Sequence, residues 1–419
     1  MQKVIAYVKS LLVFLNIFHR IIKIIKFHER LFLVNKKFLF GLIGLAISTT
    51  LFFTFNHKPR ALQNNTILLG ASLPLSGINS HLGKDVVVGA NTYFSHVNAK
   101  GGVQGKKIEF IQYDDKYEPE NTLTNTHLLI EKEKVFALFG FVGTPTVKRI
   151  LPIIEQTNIP FIAPYTGASF LRNELHDNII NFRTSYAEEI DALVTFLVQT
   201  KNITKFAIFY QNDDYGEEGY IALSLALSKH NLKLNGEGTY KRNTLSISHA
   251  IHEIESNKPE AVILVGAYKP TARFIKKAKE CCAGSIIFCP ISFVNADALM
   301  SELKGDAKNI LFSQTVPSYS DLTSQEAIEY ANLLKFYYPG EEPSLVSFES
   351  FLAAKTVVKA FLAIEGEITP TKLIEKLKTL RPYTLDSIPL SYHHAQLLNQ
   401  VYLSTYENNA FTIIGKYEY

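Results

Sequence analysis

The chain has 419 residues, 47% of them hydrophobic, which is enough for two domains and a membrane segment and excludes a disordered protein. The formal net charge of +4 is concentrated at one end, because residues 1–60 hold ten Lys and Arg against Glu29 alone. The remaining chain has 33 basic and 38 acidic groups and no basic stripe, which excludes a nucleic-acid partner.

The first 65 residues fall into three stretches of different composition. Residues 1–37 mix apolar residues with Lys and Arg and predict a basic amphipathic segment on the cytoplasmic face of a membrane. Residues 38–55 carry no charge and are just long enough to span a bilayer, so they predict a transmembrane signal anchor. Residues 56–65 form a polar linker.

The residues on either side of the uncharged stretch predict its orientation in the membrane and whether it is cleaved. More positive charge precedes it than follows it, which places the C-terminal bulk of the chain outside the cytoplasm. We expect an uncleaved anchor, because no small-residue cleavage site and no lipid-accepting cysteine follow it. Two alternatives stay open, namely signal cleavage and a true translation start further downstream, near Val34.

Strand and helix patterns alternate after the linker. An apolar run of strand length covers residues 66–73, apolar residues recur at helical spacing over 85–99, and a second strand follows at 108–113. This βαβ opening implies parallel strands. Further strands are predicted near 135–140, 160–163, 205–210, 232–240, 261–265, 286–289 and 310–314, and strand-rich residues 400–414 close the chain. The alternation predicts an α/β fold.

Several motifs in this region occur in a familiar order. The opening contains LPLSG, NAKGGVQGKKIEF and YDD, and it is followed by FGFVGTPTVKRILPIIEQTNIPFIAPYTGASFLRN and YQNDDYGEEGY. From residue 66 onward the chain resembles the type I periplasmic solute-binding proteins, in particular the branched-chain amino-acid binding group. The resemblance implies two lobes, each a mainly parallel sheet flanked by helices. Lobe 1 would comprise 66–185 and 316–396, and lobe 2 would comprise 186–315 and 397–419.

The resemblance also implies where a ligand would bind. Thr144 stands between a strand and the helix predicted over 147–156, where a hydroxyl and free backbone amides suit an anionic group. In resembling receptors this position holds the ligand carboxylate, although such a threonine also serves simply to cap its helix. The family's next loop completes the carboxylate and ammonium site, which here points to Tyr165, Thr166 and Gly167.

The second lobe is expected to cover the ligand with rings, and it departs from the family at one position. Tyr215 and Tyr268 match family positions that place aromatic side chains over the ligand. The acid that commonly pairs with an α-ammonium is replaced here by Ile291. Either another acid, Asp213 or Asp214, substitutes for it, or the ligand is not a zwitterion.

The sequence contains no catalytic motif and no metal-binding motif. No Walker loop, GxGxxG or GxSxG occurs, so we expect neither an enzyme nor a cofactor. Asp114 and Asp115 are adjacent on a strand end and point to opposite faces, which favours a structural role. A metal site is not expected, since the three cysteines at 281, 282 and 289 lack zinc spacing. Buried free thiols and a disulfide between residues 282 and 289 both remain open.

Three functions follow from these observations. The first is a receptor that closes its lobes on a small solute, such as an amino acid, an amide or a related carboxylate, and delivers it to an ABC-type permease. The second is a membrane-tethered sensor of the same fold that acts through a partner protein. Both place the two lobes in the periplasm, either anchored to the inner membrane or soluble after cleavage. The third, an enzyme, is not favoured by any residue pattern.

Overall fold

The computed structural model describes residues 65–419 except 174, 282–285 and 383. The predicted membrane-surface segment 1–37, the anchor 38–55 and all but the last residue of the linker 56–65 lie outside the described residues. Within the described part of the chain, no helix has both the length and the apolar character needed to cross a membrane.

The first sheet is parallel throughout and has the strand order β2-β1-β3-β4-β5. Strand β1, which pairs with β2 on one side and β3 on the other, is a largely buried apolar run, as expected when helices cover both faces of a sheet. The strands are β1 (Thr66–Leu73), β2 (Lys107–Asp114), β3 (Ala137–Phe139), β4 (Phe161–Ile162) and β5 (Ile179–Ile180). The helices between them are α1 (Ser80–Ala99), α2 (Pro119–His127), extended by a π-helical turn over Leu128–Glu133, and α3 (Thr144–Thr157).

The second sheet is also parallel, with the strand order β7-β6-β8-β9. Its strands are β6 (Phe206–Gln211), β7 (Leu234–Tyr240), β8 (Ala261–Val265) and β9 (Ile287–Pro290). The accompanying helices are α4 (Tyr186–Lys201), α5 (Asp214–Lys229), α6 (Ser248–Ser256), α7 (Tyr268–Cys281) and α8 (Ala296–Glu302). Ser185 and Glu188 form a capping box that fixes the start of α4, where the chain leaves the first sheet.

The C-terminal part completes both halves. Three helices, α9 (Gln325–Tyr337), α10 (Leu345–Leu362) and α11 (Pro370–Lys378), follow the short strand β10 (Phe312–Gln314). Helix α10 packs along α1, where the rings of Tyr93 and Phe351 meet edge to face at 5.3 Å and the Ser350 hydroxyl donates to the Val86 carbonyl at 2.7 Å. The hairpin of β11 (Gln400–Glu407) and β12 (Ala410–Glu418) pairs antiparallel with β10.

The strands predicted between residues 66 and 314 are present, with ends that differ by at most two residues from the predicted ones. The predicted closing strand near 400–414 is a two-stranded hairpin, since Asn408 and Asn409 adopt positive φ and turn the chain back. The short strand β5 was not predicted. The lobe boundaries at 185, 315 and 397 stay predictions.

The paired aspartates after β2 have structural roles, as predicted. The Asp114 carboxylate accepts hydrogen bonds from the backbone of Leu75 and from the Ser76 hydroxyl at 2.9 and 2.6 Å. Asp115 is buried and binds the Ser72 hydroxyl at 2.9 Å. Cys289 is buried with a free thiol, whereas residue 282, its conceivable disulfide partner, lies outside the described residues.

Candidate functional site

A cluster of three buried hydroxyls lies at the N-terminus of α3. The hydroxyl oxygens of Thr144 and Thr166 are 2.8 Å apart, and the Tyr186 hydroxyl lies 3.4 Å from the first and 3.2 Å from the second. All three residues are at most 1% exposed. Burial raises the pKa of Tyr186, so its hydroxyl stays protonated at neutral pH. We call Thr144, Thr166 and Tyr186 the hydroxyl cluster.

Two glycines allow this approach of loops and helix. Gly143 precedes α3 with φ of 106°, and a Cβ there would lie 2.4 Å from the ring of Tyr117. Gly167 follows Thr166, and a Cβ there would lie 2.6 Å from the backbone nitrogen of Tyr186. Any larger residue at these positions would push the elements of the cluster apart.

Helix capping does not account for Thr144. The N-cap of α3 is Gly143, and the hydroxyl of Thr144, the first residue of the helix, is bonded to the other hydroxyls. Thr146 bonds back to the carbonyls of Val142 and Gly143 at 2.6 and 2.8 Å, so the structural role belongs to that neighbour. The hydroxyl of Thr144 is therefore free to exchange its internal partners for those of a ligand.

Aromatic side chains pack beside the hydroxyl cluster. The Tyr215 ring lies 5.3 Å from that of Tyr186 and 4.6 Å from that of Phe293, centroid to centroid. Tyr165 lies 5.7 Å from Phe293. The Tyr215 hydroxyl is buried and has no hydrogen-bond partner among the described residues. Of the residues predicted from the sequence, Thr144, Tyr165, Thr166, Gly167 and Tyr215 thus come together.

Tyr268 and Ile291, the remaining residues predicted from the sequence, are both buried. The Tyr268 ring meets His81 of α1 edge to face at 5.4 Å, so it does join residues of the two sheets. Ile291 is 1% exposed at the end of β9, and its backbone amide donates to the Leu264 carbonyl. In the described part of the chain, no hydrogen bond or ring contact connects either side chain to the hydroxyl cluster.

A buried ionic network, which the sequence did not predict, lies behind the Tyr165 ring. The Arg183 guanidinium is 4.1 Å from that ring and 3.1 Å from the Glu349 carboxylate, and it donates to the Ser292 hydroxyl at 2.5 Å. Glu189 accepts from the amide and the hydroxyl of Ser292, both at 2.8 Å. We call Arg183, Glu189, Ser292 and Glu349 the Arg183 network.

The charges in this network stabilise each other. Burial opposes ionisation of Arg183, but the Glu349 and Glu189 carboxylates outweigh it and raise the Arg183 pKa. Burial also raises the pKa of Glu349, against the opposing effect of Arg183 and the hydrogen bond from Thr315. The guanidinium therefore stays charged, with its compensation supplied inside the protein.

The acids proposed as substitutes for the missing partner of an ammonium are already paired. Asp213 lies 3.2 Å from Arg242 and accepts the Gln211 side-chain amide at 2.7 Å. Burial raises its pKa, while the nearby Arg242 works in the opposite direction. Asp214 pairs with Lys148 at 2.5 Å.

Contacts across the interface hold the two parallel-sheet halves together. Arg242 also reaches Glu118 at 3.1 Å, and the Ser169 amide donates to Glu218 at 2.8 Å. Farther along, Asp85 accepts from the side-chain amide of Asn295 at 3.2 Å. The structure is thus a closed form, with its central side chains shielded from water.

Four residues of this interface were missed as functional candidates. Tyr186, Arg183, Glu189 and Glu349 belong to no sequence motif. An arginine in the apolar run before Ser185 is the one available signal, because a cation at such a position needs a buried partner. The sequence does not show which acid is the partner, because Glu349 lies on α10, far from Arg183 in the chain.

The fold and this interface define a two-lobed α/β binding protein, and comparison with known proteins gives the family. The family model described as periplasmic binding protein matches residues 66–409. The chain therefore belongs to the type I periplasmic binding protein family, as its motifs indicated. This is a family of solute-binding proteins, so solute binding is the activity class of the chain.

Individual relatives support the same assignment. Leu/Ile/Val-binding protein homolog 7 of Brucella abortus is 22% identical over 320 residues, covering 72% of this chain and 78% of that protein. A possible leucine/isoleucine/valine-binding protein of Rhodopirellula baltica has a solved structure with 33% identity and a TM-score of 0.78, covering 84% of this chain and 96% of that one. A Streptococcus pneumoniae branched-chain amino acid transporter substrate binding protein, solved with isoleucine, shares the fold at a TM-score of 0.72 and 16% identity, covering 85% and 99%.

Proposed function

We propose that this protein binds a small solute with a carboxylate or another electron-rich group between its lobes and delivers it to an ABC-type permease. The observation that carries the proposal is the hydroxyl cluster at the N-terminus of α3. Thr144, Thr166 and Tyr186 supply hydroxyl donors, and the N-terminus of the helix adds the positive end of its dipole. This combination suits an anion that has lost its hydration shell.

The charges near the cluster favour an anionic or uncharged solute over a plain aliphatic amino acid. The buried carboxylates of Glu189 and Glu349 and the half-buried carboxylate of Asp213 are each bound to internal donors or cations. An α-ammonium placed beside Ile291 would have to compete with those partners. Burying an unpaired ammonium costs several kcal/mol, which is enough to abolish micromolar affinity.

We expect the protein to act at the periplasmic face of the inner membrane. The uncharged stretch 38–55 favours a tethered receptor, and the same feature favours the second candidate, a membrane-tethered sensor that acts through a partner protein. The full chain should stay in the membrane fraction after a high-salt wash and keep its native N-terminus. Release of a soluble form that begins near residue 61 would contradict the tether and remove the main support for a sensor.

A thermal-shift screen of the purified protein tests solute binding. The panel contains carboxylates, amides, short peptides and amino acids, and a solute that binds the folded state raises the melting temperature as its concentration exceeds the dissociation constant. Carboxylates should give the largest shifts. If leucine or valine stabilises the protein at micromolar concentration while the matching deaminated acids do not, the charge argument is wrong.

A further inference from the structure

Phe293 occupies the centre of the closed interface. It lies in the 3-10 turn Ser292–Val294 between β9 and α8, and it is 1% exposed. Four tyrosine rings surround it, at centroid distances of 4.6 Å for Tyr215, 5.7 Å for Tyr165, and 6.3 Å for both Tyr117 and Tyr186. We call these four tyrosines the tyrosine cage.

The cage combines residues from both halves of the molecule. Tyr117 and Tyr165 follow strands of the first sheet, whereas Tyr215 lies in the first turn of α5 and Phe293 follows a strand of the second sheet. The ring of Phe293 therefore contributes to closure, because separating the halves would strip it of its contacts with Tyr117 and Tyr165. Aromatic pairs at these distances attract each other beyond the effect of buried area alone.

The turn that carries Phe293 is held firmly in place. The Ser292 backbone amide and hydroxyl both donate to Glu189, and the Arg183 guanidinium donates to the same hydroxyl. The adjacent Tyr165 hydroxyl lies 3.5 Å from the Ser292 carbonyl. The backbone of the turn is thus fixed, and only the side chain of Phe293 could leave the cage without disturbing the Arg183 network.

The cage adjoins the hydroxyl cluster through a shared residue. The ring of Tyr186 packs against Phe293 in a T-shaped arrangement, and its hydroxyl lies within hydrogen-bonding distance of Thr144 and Thr166. A solute whose carboxylate is bound by those hydroxyls would have its adjoining substituent at the position that the Phe293 ring now fills. A carboxylate and a planar ring therefore have neighbouring sites, and the ring site is occupied by the protein itself.

We propose that Phe293 is an internal occupant of an aromatic subsite formed by the tyrosine cage, and that the solute of this protein carries a planar unsaturated ring that replaces it. The proposal rests on the proposed function, whose ligand class it narrows to aromatic carboxylates. The solute gains entry by displacing that ring into the opening cleft.

Removing the ring tests the subsite directly. Phe293→Ala in the full chain leaves a cavity lined by aromatic faces, and such a cavity binds a ring that fits it. By titration calorimetry, the variant should bind phenylacetate at least about tenfold more tightly than the unmodified protein, and should gain much less for 4-methylpentanoate, which has a branched aliphatic end. An equal gain for both acids, or no gain for either, would overturn the proposal.

A matched control separates this effect from a general loss of packing. Phe411 is 6% exposed and packs against Phe312 and Tyr406 in the antiparallel sheet, outside the cage. Phe411→Ala should lower the melting temperature without changing the affinity for phenylacetate. A similar gain in affinity in this variant would also contradict the proposal.

A second variant keeps the ring site filled and reports on displacement. The chain contains no tryptophan, so Phe293→Trp introduces a single indole fluorophore. Its emission should be blue-shifted and shielded from iodide without solute, and should shift to the red and become quenchable when phenylacetate is added. Emission that stays blue-shifted with phenylacetate bound would show that the ring is not displaced.

The two proposals can fail separately. If carboxylates bind the unmodified protein but the Phe293 variants show neither the selective gain nor the spectral shift, solute binding stands and the aromatic subsite is wrong. If no solute of the panel binds the unmodified protein, yet Phe293→Ala binds phenylacetate selectively, the subsite stands and the proposed function fails.

Discussion

The hydroxyl cluster and the Arg183 network both adjoin Tyr165, which precedes Thr166 in the chain and whose ring lies 4.1 Å from the Arg183 guanidinium, but they differ in the way that their buried polar groups are paired. The cluster has only neutral hydroxyls, which bond to each other at 2.8–3.4 Å. The network buries a full positive charge and two carboxylates, bonded to each other directly or through Ser292. One region is therefore neutral and can exchange partners, while the other is charged and internally compensated.

This difference assigns separate tasks to the two regions. Neutral hydroxyls can turn from each other toward a ligand at small energetic expense, since each remains both a donor and an acceptor. A buried ion pair cannot do this, because removing one partner leaves an uncompensated charge. We therefore assign ligand contact to the hydroxyl cluster and the holding of the Ser292 turn to the Arg183 network.

The largest expected effect comes from breaking the network. Arg183→Met leaves Glu349 buried without its cation and should lower the free energy of unfolding by about 3–5 kcal/mol, measured by urea denaturation. Adding Glu349→Gln should recover part of this loss, because it removes the unpaired charge.

Arg149→Met is the control for this prediction, since Arg149 forms an exposed pair with Glu120 and should leave the stability unchanged. A loss below about 1 kcal/mol for Arg183→Met would show that the buried pair is not needed to hold the fold.

A carboxylate without a cation partner should give a pH dependence of stability. Burial raises the pKa of Asp297 to about 6, although hydrogen bonds from the Leu345 amide and the Tyr319 hydroxyl lower it in part. Because the folded pKa exceeds the ordinary value of 3.8, this group's contribution to stability is full below pH 3.8 and is lost as the pH rises through 6.

The unfolding free energy of Asp297→Asn, relative to the unmodified protein, should therefore increase by about 2–3 kcal/mol from pH 4 to pH 7. Urea denaturation at both pH values measures it, and Asp386→Asn, at an exposed side chain, should show no such slope. A difference that stays flat or falls with pH would contradict the assigned shift.

Substitution of Ile291 should have a smaller effect, and this effect is on ligand selectivity. Ile291→Glu should raise the affinity for leucine relative to 4-methylpentanoate by about 2 kcal/mol, because hydrogen bonds to charged groups are worth about 1.5–3 kcal/mol. Ile291→Gln is the neutral control, and competition binding gives the ratio. If both variants shift the ratio equally, charge is not the cause.

The sequence predicts the features that depend on neighbouring residues better than the contacts between residues that are far apart in the chain. Local periodicity predicts β1 and β8 to the residue, because each is a short apolar run. Thr144 and Thr166 could be found because each follows a strand at the edge where ligands bind in α/β sheets. The partners of Arg183 could not, since Glu349 is 166 residues away and reaches it only through the packing of α10.

The aromatic packing around Phe293 could not be predicted either, because it also depends on contacts between distant segments. Phe293 sits in an apolar stretch whose composition is equally typical of a core, and its ring contacts come from four separate segments. Tyr268, predicted beside the ligand, meets His81 edge to face, a contact between α7 and α1 that the sequence also did not indicate.

Titration calorimetry of Thr144→Val tests the central claim, that the hydroxyl cluster binds the solute, most directly. With the carboxylate that gives the largest thermal shift, this variant should bind about 1–3 kcal/mol more weakly than the unmodified protein, because a ligand oxygen loses its donor. Thr157→Val, on an exposed hydroxyl at the far end of the same helix, should bind normally. Unchanged affinity in Thr144→Val, or an equal loss in both variants, would contradict the assignment of the hydroxyl cluster as the ligand site.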